Sequence, residues 1–295
     1  MLRTRLLALL TAVLVAMGLA VALTPTASAA SPCDTAPNWQ QGAWYTAGNV
    51  VRYNGAYYIA EHDNPGYSPT ISTWYWDPYN CGGGGNPQPG GFVVSEAQFN
   101  QMFPGRNSFY TYNGLTAALS AYPGFAKTGS DTVRKQEAAA FLANVSHETG
   151  GLVHIVEQNT ANYPHYCDWS QPYGCPAGQA AYYGKGPIQL SWNFNYKAAG
   201  DALGIDLLNN PWLVQNDAAV AWKTGLWYWN TQSGPGSMTG HNAMVNGAGF
   251  GHTIRSINGS LECDGRNPAQ VQSRVTKYQQ FAQILGVPTG ANLYC

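Results

Sequence analysis

Two glutamates nine residues apart, Glu148 and Glu157, are the side chains of this 295-residue chain whose setting best suits acid and base chemistry. Glu148 lies in RKQEAAAFLANVSHETGG, where Phe141, Asn144, Val145 and Glu148 recur at the spacing of one helix face. An acid on a largely apolar face, in the last turn where the helix dipole turns its negative end, is disfavoured as a charged carboxylate. That is how a protein keeps a glutamic acid able to donate a proton. The alternative is a Glu at a frayed, exposed helix end. Glu157 follows beyond a Gly-Gly break, in the otherwise acid-free stretch GGLVHIVEQN. Two carboxylates across a cleft are the minimum equipment for cutting a glycosidic bond, one protonating the leaving oxygen and one activating water. Pairs this close in sequence are common by chance, so spacing alone marks a candidate only.

Other chemistries fit less well. His147-Glu148 suggests a zinc-protease motif, but H-E-x-x-H needs His where Gly151 stands. His154 is separated from His147 by two helix-breaking glycines, which argues for a hydrogen-bonding or core role. Ser191 in GPIQLSWN is not in a G-x-S-x-G elbow. No C-x-x-C or His/Cys cluster calls for a metal.

The elements that must position these residues are mostly helical. Ser95 with Gln98 reads as a capping box for a helix carrying Phe99, Met102 and Phe103. Leu115 to Tyr122 is stopped by Pro123-Gly124. A long helix from about Thr132 to Thr149 ends at Gly150-Gly151. Further helices are expected at Phe194 to Leu203, Asp217 to Asn230 and Pro268 to Leu285, the last with Asn267 as cap and Gly286 after it.

Ahead of this body, residues 1–30 read as a secretory signal peptide, with Arg3 and Arg5, an apolar run and an A-x-A site. Its removal takes away two positive charges and moves the formal charge from -1 to -3. Nothing then attracts nucleic acid or anionic lipid, and no membrane span is expected in the mature chain. GGGGNPQPGG, residues 82–91, cannot build a core and reads as a flexible linker. Residues 31–81 form a small module in which NVVRYNGAYYIAEH shows two β-type runs around an Asn-Gly turn. Six cysteines imply an oxidising, extracellular compartment, and of the roughly fifteen connectivities they allow, proximity favours Cys33 with Cys81, Cys167 with Cys175 and Cys263 with Cys295. Few charges and many aromatic rings and amides suit a neutral polymer ligand such as a polysaccharide.

From residue 92 to 295 the chain resembles the family 19 glycoside hydrolases, the compact bacterial chitinases in particular. The resemblance rests on FLANVSHETGG, YYGKGPIQLSWNFNY, SINGSLEC and SRVTKYQQF, in consistent order. It implies a mainly α, lysozyme-like two-lobed catalytic domain. It also implies endochitinase activity on β-1,4-linked N-acetylglucosamine with inversion at the anomeric carbon, without cofactor or metal. By the same resemblance Glu148 is the general acid, Glu157 the general base, and Ser191 helps to hold the attacking water. His147, Gln189, Asn195, Asn258 and Arg274 would bind substrate or tune the carboxylates, although Asn258 could be only a helix cap and Arg274 only a solvated charge. Chitin and chitooligosaccharides are the expected partners, and a monomer is the expected state. A lysozyme-like peptidoglycan hydrolase and a non-catalytic chitin-binding protein are the competing readings.

The front module resembles carbohydrate-binding families 5 and 12 through AWYTAGNVVRYNGAYYIAEH. Where those modules carry two exposed tryptophans, this chain has His62 and Asp63, so Tyr67, Trp74, Tyr75 and Trp76 become the candidate stacking rings, one or two of them expected to be core.

Overall fold

The computed structural model describes residues 33, 35–60, 63–72, 75–79 and 92–295. The expected leader and linker, together with His62, Trp74 and Cys81, lie outside the described residues. The N-terminal part is a three-stranded antiparallel sheet in the order β1 (Val50–Tyr53), β2 (Ala56–Ala60), β3 (Trp76–Tyr79). The β1–β2 turn is the Asn54-Gly55 pair read from the sequence, and both residues take the positive φ that a tight hairpin turn of this kind requires. β3 went unread because Pro78 interrupts it, and an edge strand is where a sheet tolerates proline. Tyr45, Val51, Ala60 and Trp76 make the small core beneath.

Among the described residues, the partners that position Glu148 and Glu157 lie after residue 92. α1 (Glu96–Met102) starts at the expected Ser95–Gln98 capping box. α2 (Tyr112–Ala118) is capped by Thr111, earlier than the apolar pattern indicates. α3 (Asp131–Glu148) is capped by Ser130, and every residue from Glu137 to Ser146 is buried, so it is a central helix rather than an amphipathic one. Its buried acid, Glu137, accepts from Ala126 N–H at 2.9 Å and Trp229 Nε1 at 3.1 Å, and pairs with His241 Nδ1 at 2.7 Å. That bond holds the His241 imidazole above its ordinary value against the opposing effect of burial.

α4 (Asn193–Leu203) ends at Gly204 and α6 (Ala218–Thr231) is capped by Asp217, where the helix was expected to start, with the single turn α5 (Leu213–Asn216) before it. α7 (Gly240–Val245) and α8 (Phe250–Glu262) follow, then α9 (Pro268–Ile284), with Asn267 and Pro268 at its start as read. α9 packs along α3. Two apolar cores result. The larger joins α1, α2, α3, α8 and α9 around Phe99, Phe141, Trp222, Phe250 and Phe281. The smaller gathers Tyr182, Ile188, Leu190, Tyr196, Leu207 and Val214. α6 serves both, sending Trp222 and Trp229 into one and Ala221 and Trp227 into the other, which is why it is apolar on nearly every side. This is the two-lobed, mainly helical architecture expected. Cys167–Cys175 and Cys263–Cys295 are bonded as proximity predicted, and Cys33 is disulfide-bonded too.

Candidate active site

A cleft of about 520 Å³ runs between the lobes, and Glu148, Glu157, Gln189, Ser191, Asn195 and Asn258 all line it. The remaining two residues expected at the site do not. Arg274, on α9, is 1% exposed, and His147 faces Ser273 at 3.1 Å. Burial, with the Arg274 charge next, holds the His147 imidazole below its ordinary value.

Glu148 closes α3 with its side chain 18% exposed, and Arg274 Nη2 donates to its Oε1. The same guanidinium donates to Glu262 through Nε at 2.8 Å and Nη2 at 2.7 Å, and to Asn144 Oδ1 through Nη1 at 3.1 Å. Asn258 Nδ2 adds a bond to Glu262 Oε1 at 2.7 Å. Burial works to raise the Glu262 carboxyl, but the guanidinium and the Asn258 amide outweigh it and hold it below its ordinary value. One cation thus serves two carboxylates, and Glu262 takes two of its bonds. Tyr228, across from Glu148, donates to Ser256 O at 3.1 Å; burial, then the Glu148 charge, pushes its phenol up to about 12.

Arg274 is therefore not a solvated helix charge: it is buried, and four of its N–H groups are engaged inside the protein. Asn258 stands at a kink that divides α8 into two helical segments, φ −142°, and its amide donates to Glu262. Arg274→Leu should lower stability by about 3–5 kcal/mol, since it leaves the buried Glu262 without its cation. Thermal unfolding measures this, and an unchanged Tm would refute it.

Glu157 reaches the opposite wall because the chain reverses sharply after α3. Gly150, Gly151 and Leu152 all take positive φ, a turn that two glycines make accessible. The strand-like segment that follows pairs Val156 with Lys185, and Glu157 N–H donates to Gly184 O at 2.9 Å. The Glu157 carboxylate accepts from Asn162 Nδ2 at 2.7 Å and from the Tyr166 phenol. Burial first, then that bond, raises the Tyr166 phenol far above its ordinary value, so it stays a donor. Among the described residues no cation lies within ion-pair distance of Glu157. The two acids of the cleft therefore differ: one is backed by a guanidinium, the other by neutral donors.

Ser191 Oγ donates to Gln189 O at 2.8 Å, and Asn195 Nδ2 donates to Ser191 O at 3.0 Å. Gln189 and Trp192 on either side have φ of 50° and 77°, unfavourable values for residues with side chains that recur at functional sites. Trp192 is 37% exposed at the cleft and meets Tyr166 edge-on at 5.6 Å. Sequence reading passed over Glu262, Asn162, Tyr166 and Trp192. The available signals were an acid four residues after Asn258, the Asn162, Tyr163 and Tyr166 that follow within nine residues of Glu157, and a tryptophan directly after Ser191.

In the small module, Trp76 is 1% exposed and belongs to the core, so it is withdrawn as a stacking ring. Its indole and that of Trp39 both donate to Tyr67 O, at 2.7 and 3.2 Å. Tyr67 is 46% exposed, its ring 4.8 Å from that of half-buried Tyr75. Trp44, 65% exposed, is a ring the sequence reading omitted. Asp63 Oδ1 accepts from Ala47 N–H at 3.0 Å and so braces a turn.

The sequence pattern of the chitinase class I family matches residues 93–295. Endochitinase A of Zea mays is 46% identical over 211 residues, 69% of this chain and 71% of that protein. The crystal structure of chitinase C from Streptomyces griseus HUT6037 is 77% identical, with a TM-score of 0.69 over 72% of this chain and all of that one. A crystal structure described as a bacterial family 19 chitinase is 83% identical, again with a TM-score of 0.69, over 69% of this chain and all of that one. The match runs through both lobes and both walls of the cleft, and on it the chain belongs to the chitinase class I family, glycoside hydrolase family 19.

Proposed function

We propose that this protein is a secreted endochitinase that hydrolyses β-1,4-linked N-acetylglucosamine polymers in a single, inverting displacement. The observation that carries the reading is the unlike setting of two carboxylates in one cleft. Glu148, the acid, protonates the leaving oxygen, and the proton it gives up leaves a carboxylate that Arg274 is already placed to stabilise. Glu157, the base, draws a proton from water on the opposite side of the sugar. Ser191 spends its own hydrogen on Gln189 O, so its free lone pairs accept from that water and orient it. Asn195, Asn258 and Gln189 line the path of the sugar amides and hydroxyls. Secretion accords with the disulfides.

The module at the N-terminus is proposed to bind chitin, with Tyr67, Tyr75 and Trp44 as its rings in the described part. It is read as a separate domain because, among the described residues, neither core of the larger part draws on a residue before Phe92, although β3 touches α2. The test is product analysis on a soluble chitin oligomer: α-anomeric products are expected, and a β-anomeric product overturns the single displacement. The same assay on residues 92–295 alone should show nearly unchanged hydrolysis of the oligomer and weakened adsorption to insoluble chitin. Equal loss on both substrates would place the module in the active site.

A further inference from the structure

Lys185 lies behind the wall that carries Glu157. It is fully buried, and burial alone, with no neighbouring carboxylate among the described residues, sets its electrostatics. An ammonium has three hydrogens to place. Here it donates to Ala181 O at 2.5 Å, to Tyr196 Oη at 3.0 Å and, at the longer 3.4 Å, to Tyr183 O. The nitrogen also lies 3.5 Å from the centre of the Tyr183 ring and 4.9 Å from that of Tyr196, and a desolvated cation over an aromatic face is attracted by the ring quadrupole. Tyr196 Oη in turn donates to Tyr183 O at 2.8 Å.

Tyr183 is thereby held at its backbone and on its ring. The ring stacks on Tyr163 at 3.6 Å and 9°, and Tyr163 Oη donates to the carbonyl of Glu157 at 2.9 Å. The backbone closes the same circuit, through the Lys185–Val156 pairing and the bond from Glu157 N–H to Gly184 O. A methionine would fill this volume without the penalty of desolvating a charge, so an ammonium in an acid-free pocket points to what its bonds hold in place.

We propose that Lys185 is a positioning residue for Glu157: its ammonium holds Tyr183 against Tyr163, and that stack fixes the segment that aims the Glu157 carboxylate into the cleft. It touches neither the sugar nor the reacting atoms. The role rests on the proposed assignment of Glu157 as base. Burial pushes the Lys185 ammonium down to about 7. The titratable groups around it are the phenols of Tyr183 and Tyr196, with Tyr182 beyond Tyr196 and Glu157 beyond the Tyr163 stack. The clamp is therefore charged below about pH 7 and loses its charge as pH rises through that value, loosening the wall.

The test compares native protein with Lys185→Met, Lys185→Arg and Tyr163→Phe on a soluble chitin oligomer across neutral pH. Lys185→Met should lose about tenfold or more in kcat with KM near native, as a small displacement of a reacting group does. Tyr163→Phe, which removes only the hydroxyl on Glu157 O, should show a smaller loss of the same kind. Lys185→Arg keeps the charge, so it should retain kcat near neutrality and carry the alkaline fall of activity to higher pH. Near-UV tyrosine dichroism gives a readout that needs no substrate: a transition near pH 7 in the native protein, absent in Lys185→Arg. Native kcat in Lys185→Met overturns the proposal. Where that variant fails to fold, native kcat in Tyr163→Phe with an unmoved alkaline limb in Lys185→Arg does so. An active native enzyme without the dichroism transition also overturns it, whereas an inactive native enzyme removes the chitinase reading and leaves the dichroism to decide on the clamp.

Discussion

Glu148→Gln is expected to lose about 10²- to 10⁴-fold in kcat on chitin oligomers while folding normally, because it removes a transferable proton and little else. The glutamine carbonyl can still accept from Arg274 Nη2, and the buried Glu262 keeps its own two bonds to the guanidinium. The thermal midpoint should therefore stay close to native, and binding of an oligomer should survive. A second signature separates loss of an acid from general damage. A substrate whose leaving group departs without protonation, such as a dinitrophenyl glycoside, needs no acid, so the deficit should shrink sharply on it. Equal deficits on both substrates, or substantial residual turnover on chitin, would remove Glu148 from the role.

Glu157→Gln is expected to be comparably impaired, by about 10²- to 10⁴-fold, and to differ in what relieves it. The base acts on water whatever the leaving group is, so an activated substrate should bring little recovery. Azide needs no deprotonation and should restore turnover by entering on the face the water uses, giving an α-glycosyl azide. A β-glycosyl azide, or full activity without azide, would sink the assignment. Asn162 and Tyr166 both donate to the Glu157 carboxylate, and both can donate to a glutamine carbonyl, so the wall should keep its shape.

Most helices were legible because their ends are written locally. Ser95, Asp217 and Asn267 accept from N–H groups three residues on; the sequence names Ser95 and Asn267 as caps and puts a helix start at Asp217. α7 and α8 were not legible, and the glycines explain why. Gly251 stands in the first turn of α8, where it lowers helix propensity, yet a Cβ there would lie 2.0 Å from Tyr294 O. Close packing of the C-terminal segment, which Cys263–Cys295 also ties down, demands it. That demand comes from residues more than forty positions away, beyond the reach of any local pattern. The module repeats the point in reverse: Trp76 looked like a stacking ring among aromatic neighbours, but a domain this small had to bury it.

By itself the sequence determined the helical class, the Asn54-Gly55 hairpin, the pairings Cys167–Cys175 and Cys263–Cys295, and the placing of one acid on each side of a Gly-Gly reversal. These depend on propensity, capping and short chain separations, which neighbouring residues encode. Only the tertiary structure decided how the two acids differ. Arg274 meets Glu148 across 126 positions of sequence, and Glu262 meets the same guanidinium from another helix. Lys185 becomes an unpaired cation behind Glu157 solely because the smaller lobe closes over it. Desolvation and the strength of a charge interaction depend on what surrounds a group in space, and packing alone supplies that.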